Sequence, residues 1–409
     1  MSLPKIFTAL RYREYRVFWV GNAASNIGIW LLMAGRLWLI FDLTDSEAML
    51  GILTFASVGP ILVLSMWGGV LADRVSRVKL VTATRAMFAV TALLTGALIA
   101  FDVIAPWHLI AISVANGVLL SFDIPSRQAI VPNLLPREHL VNALSLQSML
   151  YVGSAVLGPM FLPLMIKAWG IEGVFFFVGG AYVFTAIMFS RLKSQAAREN
   201  SHVKSPLADL LAGFSYIRAN GVMVALIAIG VVTGIFATPY LTLLPAFASD
   251  VLDSPVDGYG YLLQATGVGG LVGMLALANF VNLKDSASVQ AVTGVGLGVS
   301  LVAFALAGWL PVAIVAIGAV GAFTMAFGTI NNTLLQSIVA DDYRGRVSSI
   351  HQLGWGASAF GGLMLGFLAQ SVSAPFALAV SGSAAAVAIG LLSVYIRRRL
   401  ATTQKPPPN

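Results

Sequence analysis

The sequence contains no cysteine. It therefore excludes disulfide bonds, thiolate metal sites and cysteine nucleophiles. Histidine is scarce as well, with 4 in 409 residues, and no apolar stretch carries paired acids, a histidine pair or a serine–histidine arrangement. No nucleotide-binding loop of the form Gly-x4-Gly-Lys-Ser/Thr occurs, which argues against direct use of ATP. We expect neither an enzyme nor a cofactor or metal site.

Charged side chains are also few. Asp, Glu, Lys and Arg make up 10% of the residues, whereas 58% are hydrophobic. Soluble domains carry roughly a quarter charged residues, so this composition excludes an ordinary soluble protein. The mean hydropathy of +0.87 predicts an all-α, polytopic membrane protein. The formal net charge of +7 does not indicate nucleic-acid binding, because the basic residues occupy short loops between apolar runs.

Twelve apolar stretches are long enough to cross a bilayer. We predict transmembrane helices at 17–41, 48–71, 80–101, 107–126, 144–167, 172–191, 221–245, 258–281, 288–308, 311–335, 348–370 and 375–396. The residues before the first stretch are basic and lack a cleavable signal pattern, so the first helix is expected to act as its own insertion signal.

The basic residues divide unequally between the two sides of the membrane. All 24 lysines and arginines except Arg36 and Lys167 fall on the side of the N-terminus. The opposite loops carry acids: Asp42, Asp45, Glu47, Asp102, Glu172, Asp250, Asp253 and Asp257. Because positive loops stay in the cytoplasm, we predict that both termini are cytoplasmic and that the protein lies in a bacterial inner membrane.

The longest hydrophilic segment, 191–220, divides the spans into six and six. We predict an N-terminal six-helix bundle at 1–191, a cytoplasmic linker at 192–220, a C-terminal six-helix bundle at 221–396 and a cytoplasmic tail at 397–409. Within the linker, 205–218 starts with Ser-Pro and has apolar residues at helical spacing, which predicts an amphipathic helix at the membrane surface. The tail at 405–409 is expected to be disordered.

An internal repeat supports this division. Gln128-Ala-Ile-Val-Pro recurs 208 positions later as Gln336-Ser-Ile-Val-Ala. At the same offset Gly153 matches Gly361 and Gly158 matches Gly366. We therefore expect two homologous, pseudo-symmetric halves.

The loop between the second and third spans has an unusual density of charge. It reads Gly69-Val-Leu-Ala-Asp73-Arg74-Val-Ser-Arg77-Val-Lys79. An acid at the last turn of a helix is unfavourable unless it has a cationic or N–H partner. The alternative is a plain positive loop that only sets orientation. The pattern resembles the loop signature of the major facilitator superfamily of transporters, which implies twelve helices in two bundles.

Three further stretches resemble the enterobactin-exporter-like branch of that superfamily. They are Leu10–Arg16, Asp123-Ile-Pro-Ser-Arg127-Gln128 through Asn142, and Asn332-Thr-Leu-Leu-Gln336 through Arg346. Members of the branch are similar to exporters of siderophores, macrolides and other amphipathic compounds, so the resemblance implies export without naming a substrate.

The fifth span carries Gly153-Ser-Ala-Val-Leu-Gly158-Pro159. This stretch is similar to the glycine-rich signature of antiporters in the superfamily. The alternative is a packing seam with a kink, because small residues allow close helix crossing and Pro159 removes a backbone hydrogen bond.

Ionisable groups within spans are costly and usually functional. Asp123 and Arg127 lie four residues apart and are predicted to pair on one helix face. The resemblance implies a conformational latch on the cytoplasmic side formed by Gly69, Asp73, Arg74, Arg77, Asp123 and Arg127; static pairing of the loop charges is the alternative. Because histidine side chains ordinarily titrate near neutral pH, His351 is one candidate for proton coupling; an interfacial or hydrogen-bonded role is the alternative.

The superfamily arrangement implies that spans one, four, seven and ten line a substrate cavity. The candidate cavity residues there are Asn22, Asn26, Trp30, Arg36, Asn116, Tyr240, Asn331 and Asn332. Polar residues also join helices to one another. For Arg36 two interpretations stay open: it reaches the interface and meets Asp42 or Asp45, or it faces the cavity and binds an anionic group such as a carboxylate or catecholate.

Together these patterns predict a secondary exporter of amphipathic small molecules that works by alternating access as a proton antiporter. Its partners are expected to be the substrate, protons and the lipid bilayer, with no nucleic acid, and the protein is expected to be a monomer. The alternatives are an importer or lipid flippase on the same fold, and a membrane sensor that binds ligand without moving it.

Overall fold

The computed structural model describes residues 5–193, 206–280, 286–340 and 343–403. Thirteen α-helices follow one another in these ranges. They are α1 Arg13–Thr44, α2 Glu47–Arg74, α3 Arg77–Ala100, α4 Pro106–Ile130, α5 Leu140–Ser190, α6 Pro206–Arg218, α7 Gly221–Val232, α8 Tyr240–Ala246, α9 Pro255–Phe280, α10 Ser286–Ala305, α11 Leu310–Ile338, α12 Arg344–Ser371 and α13 Ala374–Thr403. The tail predicted to be disordered, 405–409, lies outside the described residues.

The twelve predicted membrane helices are confirmed. Ten stretches of the described chain are long and apolar enough to cross a membrane. One of them contains α5, which supplies two of the predicted spans because Gly170 has a non-helical backbone (φ 71°, ψ 173°). The 28-residue helix α12 supplies the remaining span.

Aspartates end several helices on the side predicted to be outside. Asp45, Asp102 and Asp253 have φ values of 46°, 55° and 48°. This left-handed conformation is rare for residues other than glycine, and Asp tolerates it better than most. The N–H of Asp45 donates to the carbonyl oxygen of Phe41 at 2.7 Å and so closes the last turn of α1.

The predicted span at 221–245 is interrupted. The α-helix α7 gives way to a π-turn at Thr233–Ala237, and a second π-turn, Phe247–Val251, follows α8. Pro239 precedes α8 and has no N–H to donate, which is consistent with the interruption. Such π-turns occur frequently at functional sites.

The chain forms two compact units. Unit 1 comprises Met1–Asp45 and Ala56–His202, and unit 2 comprises Ser46–Phe55 and Val203–Asn409. In unit 1, α1 and α3 pack along α5. In unit 2, α9 packs on α11 and α10 packs on α13. The limits of the four segments predicted from the sequence stay a prediction.

The α9–α11 contact depends on glycine. A Cβ atom added to Gly269 would lie 3.0 Å from the Cα of Gly318, and one added to Gly321 would lie 3.0 Å from the Cα of Thr266. The two backbones therefore meet directly, as they do at small-residue crossings in membranes.

Candidate functional site

A buried ion pair joins α3 to α4 in unit 1. The Asp123 Oδ2 atom lies 2.6 Å from Arg85 Nη2, and both side chains are fully buried. Thr84 Oγ1 donates to the other carboxylate oxygen at 3.0 Å. Arg127 Nε lies 3.4 Å from Oδ2, which confirms the predicted pairing of Asp123 with Arg127. The carboxylate is thus held by one hydroxyl and two guanidinium groups.

Arg85 was not predicted to be a site residue. It was grouped with the bases on the side of the N-terminus, although position 85 falls within the predicted third span. In the structure the guanidinium carbon lies 5.8 Å from the centre of the Phe88 ring and 5.7 Å from that of Tyr182. Cation–π interactions with these two rings stabilise the desolvated guanidinium group. Its Nε and Nη1 atoms are buried without a hydrogen-bond partner.

Arg36 lies in the interior of unit 1. Its side chain is 8% exposed. Nη1 donates to Ser113 Oγ of α4 at 3.1 Å, and Nε donates to the Leu32 carbonyl oxygen at 3.3 Å. Leu32 lies one turn further than Arg36 from the C-terminal end of α1, so the side chain points towards the middle of the helix. The interfacial interpretation is therefore wrong, because the polar partners of Arg36 lie inside the bundle.

The other polar candidates of unit 1 hold helices together. Asn22 Nδ2 donates to Gln147 Oε1 of α5 at 3.4 Å. Trp30 packs against Tyr151 of α5, with ring centres 5.9 Å apart. Asn26 is buried on α1, and Asn116 Oδ1 accepts from Thr91 of α3 at 2.9 Å. Three of these side chains also keep a buried polar atom without a partner: Asn22 Oδ1, Trp30 Nε1 and Asn116 Nδ2.

Unit 2 has a neutral cluster at the corresponding place. At the repeat offset of 208, Asp123 corresponds to Asn331. Gln290 Nε2 donates to Asn331 Oδ1 at 2.7 Å, and Asn331 Nδ2 lies 3.2 Å from His351 Nε2. An amide cluster therefore stands where unit 1 has its ion pair.

The two remaining candidates in unit 2 differ in exposure. Asn332 is exposed, whereas its neighbour Asn331 on α11 is buried. Tyr240 is buried, and its side chain lies beside Thr266 and Thr324.

The latch is described only in part. The side chains of Asp73 and Arg74 and the surroundings of Gly69 are not part of what the structure describes. Helix α2 ends at Arg74 and α3 begins at Arg77, so the connection is short. Arg77 Nη1 donates to the Ala129 carbonyl oxygen at the end of α4, at 3.3 Å. The latch stays a prediction.

The glycine-rich stretch of α5 packs closely against α1 at one position only, Gly158. A Cβ atom on Gly158 would lie 2.8 Å from the Trp30 Cβ atom of α1, whereas one on Gly153 would meet nothing within 4 Å. The expectation of a paired small-residue seam is therefore wrong for Gly153. Helix α5 continues through Pro159, and its backbone breaks at Gly170 instead.

Across residues 5–193, 206–280, 286–340 and 343–403, no three His, Cys, Asp or Glu side chains lie close enough to hold a metal ion. Among the described residues, the polar interior of unit 1 consists of arginines, amides and hydroxyls with Asp123, and that of unit 2 consists of amides, hydroxyls and His351. Such groups bind organic polar molecules through hydrogen bonds and charge.

A family model described as transmembrane secretion effector matches residues 5–406. The chain belongs to this family, within the major facilitator superfamily. The Staphyloferrin A transporter of Staphylococcus aureus is 22% identical over 388 residues, which cover 94% of this chain and 96% of the relative. The enterobactin exporter EntS of Shigella boydii is 23% identical over 406 residues, covering 96% and 94% of the two chains.

The fold of this secretion-effector family member also resembles that of a solved transporter. The crystal structure of the nucleoside transporter NupG superposes with a TM-score of 0.74 at 12% identity, covering 96% of this chain and all of that one (100%). The protein is thus a membrane transporter with exporter-named relatives, not an enzyme.

Proposed function

We propose that this transporter exports amphipathic small molecules across the bacterial inner membrane by alternating access, in exchange for protons. The observation that carries the proposal is the alignment, over nearly the whole chain, with a relative named as an enterobactin exporter. The buried charges of unit 1 support it, because ionisable groups in membrane spans are costly and usually serve transport. The proposal includes a monomer acting within the lipid bilayer.

Substrate retention in cells tests the direction of transport. Bacteria that express the protein should accumulate less of a fluorescent amphipathic compound than cells lacking it, and the difference should vanish when the proton gradient is collapsed. Higher accumulation in the expressing cells would instead indicate an importer.

Proton coupling has a candidate group in unit 2. His351 Nε2 lies 3.2 Å from Asn331 Nδ2, an N–H donor, so the neutral ring accepts this hydrogen bond. A protonated ring cannot accept it. Rotation of the Asn331 and Gln290 amides would present an oxygen to the ring instead, and Gln290 Oε1 is buried without a partner in the present arrangement. Protonation would therefore rearrange contacts among α10, α11 and α12.

The proposed orientation can be tested with single cysteines, because the chain has none of its own. We expect Ser46→Cys, in the loop before α2, to react with a membrane-impermeant thiol reagent added to intact cells. Ser201→Cys, in the linker, should react only after the cells are opened. Labelling of Ser201→Cys in intact cells would reverse the orientation and place the termini outside.

The proposed latch predicts a transport defect without a binding defect. Charges that pair in one state and are hydrated in the other bias the equilibrium between the two states. We expect Asp73→Asn to slow transport at least tenfold while substrate binding and protein yield change little. Asp102→Asn, in an outer loop where Asn tolerates the left-handed backbone, is the matched control and should transport normally. Near-normal flux through Asp73→Asn would remove the latch from the mechanism.

A further inference from the structure

The charges inside unit 1 do not balance. In the described part of the chain, the buried ionised side chains are Arg36, Arg85 and Asp123. Arg85 pairs with Asp123, and Arg127 from the rim of the same cluster approaches that carboxylate as well. No described acid lies within ion-pair distance of Arg36. A cation is therefore held in the interior without a counter-ion, at a desolvation cost that a bound anion would offset.

The face of α4 that contacts Arg36 carries an unpaired hydrogen-bond donor. On α4, Asn116 follows Ser113 by three residues and so lies on the same helix face. Asn116 is 2% exposed, and its Nδ2 atom has no partner. The hydrogen bonds of Arg36 to Leu32 and Ser113 use Nε and Nη1, and its Nη2 group is left to donate to a ligand.

The field of the cluster also favours an anion. Among the described residues of unit 1, three guanidinium groups, those of Arg36, Arg85 and Arg127, accompany one buried carboxylate, that of Asp123. A cation entering this region would meet a surplus of positive charge. An anion would meet that surplus together with unpaired donors. The planar guanidinium group binds two oxygens of one ligand, which suits carboxylates and catecholates.

From this arrangement we propose that unit 1 binds the substrate of the exporter through an anionic, oxygen-rich group, with Arg36 as the residue that selects for negative charge. The inference rests on the proposed function only in that it treats the bound anion as the exported substrate. The site itself is formed by residues of α1 and α4. Arg36 supplies the charge, Ser113 orients the guanidinium group, and Asn116 supplies a neutral donor one turn away.

Equilibrium dialysis on the purified full-length protein tests this site without requiring transport. The probes are citrate and 2,3-dihydroxybenzoate as anions and ethidium as the cation. We expect the wild-type protein to bind the anions, and Arg36→Gln to weaken that binding at least tenfold while leaving ethidium binding unchanged or stronger. Arg36→Lys should retain part of the anion affinity. Lys167→Gln, which removes an exposed base on the outer side, is the control and should bind both classes as the wild type does.

A second variant changes charge without changing shape. Asn116→Asp adds a carboxylate to the Arg36 face of α4 and keeps the oxygen that Thr91 contacts. It should also lower anion binding at least tenfold and spare ethidium. Failure of the wild type to bind either anion, unchanged anion binding in both variants, or equal loss of anions and ethidium would overturn the site. Anion binding without flux in proteoliposomes would overturn export and leave the site standing.

Discussion

Asp123→Asn should destabilise the protein by about 3–5 kcal/mol, because it removes the carboxylate from a fully buried arginine. Two nitrogen atoms of Arg85, Nε and Nη1, already lack hydrogen-bond partners. Once the carboxylate is lost, the guanidinium group would keep the aromatic faces of Phe88 and Tyr182 and a neutral amide oxygen, but it would have no counter-ion. The temperature at which the detergent-solubilised protein loses its monodisperse peak measures the effect, with Asp102→Asn as the exposed control.

A double variant separates stability from function. Replacing both partners with apolar residues, as in Arg85→Met with Asp123→Leu, removes the desolvation cost together with the attraction and is often neutral or stabilising. We expect this variant to be far more stable than Asp123→Asn. If it folds but transports poorly, the ion pair serves transport. An unchanged melting temperature for Asp123→Asn would show that Arg85 is compensated in another way.

Gly321→Val should prevent folding of unit 2 or destabilise it by about 3 kcal/mol or more. The added Cβ atom would lie 3.0 Å from the Thr266 Cα atom and closer still to the Thr266 carbonyl oxygen. Overpacking usually costs about 1–3 kcal/mol when flexible side chains can move aside. Here the obstacle is the backbone of α9, so α9 and α11 would have to separate.

Gly328→Val is the matched control, because it makes the same change on the same helix. A Cβ atom at Gly328 meets nothing within 4 Å, so the yield of folded protein should match that of the wild type. Size-exclusion profiles of the two variants, expressed side by side, measure the difference. Equal yields would show that α9 and α11 do not approach as closely as the structure indicates.

The sequence was sufficient for the membrane helices, because a bilayer requires about 20 apolar residues per span and these runs are local. The same locality explains the correct pairing of Asp123 with Arg127, which lie four residues apart. The sequence also predicted the helix at 206–218 from its proline start and apolar spacing.

The pairing of Asp123 with Arg85 could not be predicted from residue spacing. Arg85 and Asp123 lie 38 residues apart, and only the packing of α3 on α4 brings them together. The sequence did contain one signal for this pairing. Arg85 is a basic residue five positions inside an apolar span, next to Thr84. Similarly, spacing alone could not decide whether Arg36 turns outward to Asp42 or inward to Ser113, because both directions lie within reach of a long side chain.

Uptake into everted membrane vesicles tests the central claim, proton-driven export, most directly. In such vesicles export becomes accumulation inside. With an imposed gradient, acidic inside, vesicles that contain the protein should accumulate a labelled siderophore-like or drug-like compound above the level of control vesicles, and the uptake should stop when an ionophore removes the gradient. Uptake equal to that of control vesicles, or uptake that does not respond to the gradient, would contradict proton-driven export.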